Sequence, residues 1–139
     1  MPQIKPLVSK TKEYGMSAVA LTDRNNLYGA IEFYKTCAKK DIKPIIGCDL
    51  DVQIDGHDVH LIFLAENNTG YQNLLRLVSD AQLAHAGAAR ADESMLAKHH
   101  EGIIVLIPES ALTTGGKTVA NFFSETFGKE NVFARIGWY

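Results

Sequence analysis

One rhythm constrains this chain more than any other feature. Short apolar runs alternate with segments whose apolar residues return every three or four positions. The runs are "AVALT" at 18–22, "PIIGCDLDV" at 44–52, "VHLIFLA" at 59–65, "GIIVLI" at 102–107 and "VFARIGW" at 132–138. An unbroken apolar run of this length reads as a strand covered on both faces. Between the runs, helical spacing appears first at Ile4, Leu7, Val8 and Thr11, with Gly15 as the stop. It returns over 27–40, 67–84 and 117–127, and "DESMLAKHH" reads as a short helix with acids first and histidines last. Asn25 or Asn26 is the expected cap of the second helix, Asp55-Gly56 a hairpin turn, and 84–91 a loop. The resulting order, α-β-α-β-β-α-α-β-α-β, predicts a mainly parallel sheet of about five strands. Either an open doubly wound sheet or part of a β/α barrel satisfies it.

The 139 residues fit one domain. A formal net charge of −2 gives no global basic field, and no basic stripe carries interleaved aromatics, so direct nucleic-acid binding is not expected. Cys37 and Cys48 have no metal or redox spacing and read as reduced thiols of a cytoplasmic protein. No run approaches the roughly 20 apolar residues of a membrane span, and "MPQIKPLVSK" has no signal-peptide core.

Asp23 directly follows the first apolar run, Asp49 lies near the end of the second, and His60 stands at the start of the third. Strand ends share one face in a barrel or wound sheet, so these groups are candidate ligands of a divalent metal. Arg24 opposes that role, because a fixed cation beside a site disfavours a second one. The bland alternative is helix capping by the acids and an ordinary polar histidine. "ALTTGGKT" at 111–118 fits a relaxed phosphate-loop pattern ending in Gly116-Lys117-Thr118. Ala111 stands where the pattern has glycine, Pro108 removes one N–H, and Glu109 adds negative charge, so a glycine-rich turn is the simpler reading. His99 and His100 are adjacent, diverge on a helix and read as solvent residues. His57 and His85 fall in turn or loop contexts.

The stretch "ALTDRNNLYGAIEFYKTCAKKDIKPIIGCDLDV" resembles the polymerase and histidinol phosphatase (PHP) domain of bacterial DNA polymerase III alpha subunits. The family pattern there is roughly T-D-H-x-N-L-x-G-x-x-E-F-Y, then G-I-K-P-I-I-G-C-E. "HLIFLAENNTGYQNLLRLVS" is similar to its H-L-x-L-L-A-x-N-x-x-G-Y-x-N-L-x-x-L-x-S, and "EGIIVLI", "GGKTVANFF" and "FGKENVFARI" continue the likeness more weakly. Residues 15–79 carry the resemblance best, and 84–101 diverge.

The resemblance implies a distorted, TIM-like β/α barrel of which 1–139 is a single partial domain. It also implies a cluster of metal ions held by histidines and acids at the strand ends. Little of that cluster matches here. Arg24 occupies the T-D-H histidine position, Asp49 the G-C-E glutamate position, and His60 the histidine of H-L-x-L-L-A. Pro108-Glu109 stand where the family often has a cysteine, and the family's opening His-x-His and closing Asp-x-His fall outside this sequence. Asp49 and His60 are thus the vestigial metal pair, with Asp23, Arg24 and Glu109 adjacent and no catalytic residue. No cofactor is expected; zinc or manganese would fill the pair if anything does. The family's glycine pair also accounts for Gly115-Gly116, leaving no nucleotide-binding residue. The expected function is an architectural, partner-binding module in DNA replication. Its partners would be the remainder of the alpha subunit and the proofreading exonuclease subunit, with self-association through open barrel edges. The implied parent is a DNA-directed DNA polymerase, a nucleotidyltransferase, but its palm carboxylates are absent here, so the chain alone is expected to be inactive. The rival reading is a residual metal-dependent phosphoesterase or exonuclease.

Overall fold

The computed structural model describes the backbone of residues 3–24, 27–84 and 90–135, with side chains at all of these but 23, 24, 114 and 115. The cap expected at Asn25 or Asn26, His85 and the end of the last expected strand lie outside the described residues. In chain order the elements are α1 (Ile4–Glu13), β1 (Ala18–Arg24), α2 (Ala30–Lys39), β2 (Lys43–Ile54), β3 (His57–Ala65) and α3 (Asn68–Ala84). There follow β4 (Ala91–Asp92), α4 (Glu93–Lys98), β5 (Ile103–Pro108), α5 (Glu109–Phe127), a 3-10 turn and β6 (Val132–Arg135).

The strands form one sheet in the order β1-β2-β3-β5-β6, with β4 paired to β2. β1 and β4 run parallel to β2, β3 runs antiparallel to both β2 and β5, and β5 runs parallel to β6. Among the described residues β3 alone is therefore reversed, and the sheet is mixed. The reversal comes from the expected hairpin turn. Asp55 and Gly56 both adopt positive φ, 48° and 80°, which a tight two-residue turn requires and which aspartate and glycine tolerate. The whole is an α/β fold with a curled half-barrel sheet.

Side-chain alternation separates the two faces. On β2, Cys48, Leu50, Val52 and Ile54 are buried, as are Val59, Leu61 and Phe63 on β3 and Ile103, Val105 and Ile107 on β5. These pack with Leu74, Leu77 and Val78 of α3, Leu96 of α4 and Val119, Phe123 and Phe127 of α5 in the larger core. A second, smaller core joins Ile4 and Val8 of α1, Leu21 of β1, Phe33 and Cys37 of α2, and Ile42. The opposite sheet face is only half covered: Asp49, Asp51, His60, Ile62, Leu64, Ile104 and Leu106 are intermediate, and Ala20, Thr22 and Phe133 are exposed. β1 is thus covered on one face, not the two that its continuous apolar run suggested, because a half barrel leaves its inner surface open.

Two elements were not expected. β4 lies in the segment read as a loop, where its two residues add to the end of β2 opposite Val52 and Gln53. Asp92 then caps α4, its Oδ1 accepting from Met95 N–H at 3.0 Å. Asp92→Ala should lower stability by about 1 kcal/mol, the usual worth of such a cap. Asp92→Asn should recover most of it, and a pair of urea titrations compares the two. The other surprise is α5, which starts at Glu109 and not at 117. It breaks at Gly116, where φ is 53° and ψ −137°, a conformation that glycine alone adopts without strain.

Candidate functional site

Strand direction decides which residues meet. β1, β2, β5 and β6 point one way, so their C-terminal halves share one end of the sheet; reversed β3 brings its beginning there. In the β1–β2 ladder Arg24 sits opposite Asp49, and in the β2–β3 ladder His60 sits opposite Asp51. Asp49 and Asp51, two apart, share the open face of β2 with His60 beside them.

The imidazole of His60 lies between the two carboxylates. Its Nδ1 is 2.9 Å from Asp51 Oδ1, and its Nε2 contacts Asp49 Oδ1. That Asp49 oxygen is buried and has no other polar partner among the described residues. The side chains of His60 and Asp49 are 35% and 27% exposed, so solvent screens the pair and its contribution to stability is modest.

This arrangement has some of the geometry that a metal site would need. A histidine ligand typically presents one ring nitrogen to the metal while a carboxylate fixes the other. Asp51 would be the fixing group, leaving His60 Nε2 and Asp49 Oδ1 as two donors on one edge of a coordination shell. A catalytic zinc site uses three protein ligands. Among the described residues, no group of three or more histidines, cysteines or acids is placed to hold an ion. Glu109 is exposed at the start of α5 and is not part of the cluster. Asp23 and Arg24 are placed by their backbone alone: Asp23 pairs with Cys48 in the ladder, one position before Arg24.

Asp51 was not singled out from the sequence. Its signal was there: period-two spacing from Asp49 puts both acids on one strand face, and the tight turn at Asp55-Gly56 fixes which of them opposes His60. His99 also differs from expectation. It is buried, with Nε2 2.9 Å from Asp80 Oδ2, and so ties the end of α4 to α3; His100 is the exposed one of the pair. The phosphate-loop reading of 111–118 does not hold. Residues 109–115 are helical, Ala111 is buried, and Thr113 Oγ1 donates to the Glu109 carbonyl. Backbone N–H groups strung along a helix axis do not converge on a phosphate as a loop's would. Burial pushes the Cys37 thiol above its usual range, which keeps it protonated and unreactive.

The half-barrel with an acid-and-histidine cluster at its strand ends defines a class: residues 1–133 match the PHP domain, and the chain belongs to that family. Within it, the chain is similar to a stretch of DNA polymerase III subunit alpha. It is 38% identical to that protein from Chlamydia trachomatis over 98% of this chain, and 46% identical to that from Escherichia coli over 73%. It spans only 11% and 9% of the length of those relatives. Among solved structures, an amidohydrolase from Chromobacterium violaceum shares the fold, with a TM-score of 0.50 and 11% identity over 91% of this chain and 69% of that one. No helix among the described residues is long and apolar enough to cross a membrane.

Proposed function

We propose that this chain is the PHP portion of a replicative polymerase alpha subunit and serves there as an architectural module whose metal site has lapsed. The observation that carries the reading is the cluster itself. Asp49 and His60 stand at two positions of the family's ligand pattern, and they engage each other; a third position holds Arg24, paired to Asp49 in the ladder. Arg24 brings a fixed positive charge to a position where the family pattern has a histidine ligand, and a fixed cation disfavours a divalent ion. The domain would support the remainder of the alpha subunit in the cytoplasm and help dock the proofreading exonuclease subunit. Asp49 and His60 then contribute no catalysis, and neither do Asp23, Arg24 or the separate Glu109.

The rival reading is a residual phosphoesterase. It is favoured by Asp51, which holds His60 Nδ1 as a ligand histidine needs to be held. If zinc or manganese were bound there, Asp49 and His60 would hold it, and the ion would supply Lewis-acid activation of water. Elemental analysis after exposure to zinc or manganese and desalting separates the two. Far less than one metal per chain is expected. Near-stoichiometric metal that is lost in His60→Ala would overturn the lapsed-site reading.

A further inference from the structure

The outer helix layer has a gap. β2 and β3 are joined by the turn at Asp55-Gly56, so no helix is inserted between them, while α2 packs on β2 and α3 packs on β3. Between α2 and α3 lies a groove of about 570 Å³. Its floor and walls are largely apolar, from Ile31 and Tyr34 of α2, Pro44 and Ile46 of β2, Ala65 at the end of β3 and Tyr71 of α3.

α2 explains why the groove is not simply surface. Its inner face, Ala30, Phe33 and Cys37, is buried in the smaller core. Its outer face carries Ile31 and Tyr34, 65% and 58% exposed, which no core packing requires. Exposed large apolar groups that rim a concavity mark interaction surfaces. Charge narrows the occupant further. Lys35 lines the groove and Lys39 follows one turn later on the same face of α2; both are exposed. Residues 1–43 hold eight lysines and arginines against four acids, although the whole chain is net negative. Glu66 is the one acid lining the groove, and it lies on the α3 side, away from this lysine row.

The geometry points to a helix of a partner protein seated in this gap, amphipathic, with an apolar face on the Ile31–Tyr34–Ile46 floor and acidic residues along the flank that meets Lys35 and Lys39. It takes the place of the outer helix that the hairpin omits, by the helix-in-groove mode of recognition. Tyr34 and Tyr71 are two isolated rings among Ile31, Pro44, Ile46 and Ala65, which favours such a helix over a nucleic-acid strand, whose bases would want stacking faces along the whole path. This inference rests on the partner-binding part of the proposed function and not on the state of the metal site.

The test uses a synthetic helical peptide of roughly 16 residues, with leucines on one face, glutamates on one flank and a fluorescent label, binding to the 139-residue chain. A twin peptide carries lysines in place of the glutamates. The glutamate peptide should bind about tenfold more tightly than its twin. Tyr34→Ala and Ile31→Ala, both at exposed positions, should each weaken binding severalfold with the melting temperature held, and Lys35→Glu should erase or invert the preference between peptides. Equal affinity for the two peptides, or binding untouched by Tyr34→Ala, overturns the groove. So does a chain that dimerises through the patch and is made monomeric by Ile31→Asp, or an oligothymidylate that binds in the peptide's place. The metal assay stands apart: peptide failure with no metal retained removes the groove alone, and peptide binding with stoichiometric metal removes the lapsed site alone.

Discussion

Gly70→Ala is expected to unfold or severely destabilise the protein. Gly70 opens the second half of the first turn of α3, where Asn67 Oδ1 accepts its N–H at 2.9 Å. A Cβ at this position would lie 1.8 Å from the carbonyl oxygen of Gly102, in the turn before β5. The obstacle is backbone, which has no rotamer to change. Gly102 cannot give way either, because its φ is +77° and its own added Cβ would sit 2.5 Å from Gly70 N. Two backbones are therefore in direct contact, and Glu66 N–H reaches the same Gly102 carbonyl at 2.8 Å. Separating them means moving the start of α3 away from the turn that leads into β5. The cost is expected at about 3 kcal/mol or more, beyond ordinary overpacking. Gly56→Ala is the informative comparison. Gly56 also has positive φ, but nothing lies within 4 Å of its added Cβ. It should suffer only the conformational penalty, about 1 kcal/mol. Similar melting temperatures for the two variants would show that the Gly70–Gly102 contact is looser than described.

Phe123→Ala should cost about 3–5 kcal/mol, as for other fully buried phenylalanines. Phe123 of α5 is completely buried and is the hub of an aromatic group. Its ring centroid is 5.2 Å from that of Phe122, 5.6 Å from Phe127 and 6.2 Å from Phe63 on β3. The packing is tilted and edge-on, the arrangements that aromatic quadrupoles favour. Removing the ring leaves a cavity bounded by Phe63, Phe127 and the strand backbone, and such a site collapses poorly. Phe122→Ala is the control: Phe122 is only partly buried at the margin of the same core, so its loss should cost distinctly less. Denaturant titrations with matched slopes would rank the two, and equal costs would count against the packing described.

Much of this architecture was legible in the sequence because the signals were local. Asp55-Gly56 dictated a turn, the apolar runs dictated strands, and the match of residues 15–79 to a family pattern supplied the barrel. What escaped depended on neighbours distant in the chain. β4 is two residues long and exists because β2 is long enough to offer Val52 and Gln53 as partners. His99 looks like a solvent residue in its own helix; it is buried only because Asp80, nineteen positions away, comes to meet it. Asp51 gained its place from a ladder register, which no single strand contains. Gly115-Gly116 were read as the lead into a helix, whereas the helix had already begun at Glu109 and Gly116 lets it change direction.

The two separate cores have a consequence for how the molecule comes apart. α1, β1 and α2 share their own apolar cluster, and their backbone attachment to the rest is largely the β1–β2 ladder at one margin of the sheet. Cooperative units of a fold can open at free energies below that of global unfolding, and the smaller core is the candidate for such a unit here. Amide protons of β1 are therefore expected to exchange faster than those of β3, and hydrogen-exchange mass spectrometry showing equal protection would count against two separate bodies. The Gly70 and Phe123 lesions belong to the larger body. Arg24 and the Ile31–Tyr34 surface lie on elements of the smaller one, so local opening of that body would shift the register of Arg24 against Asp49 and the shape of the groove together.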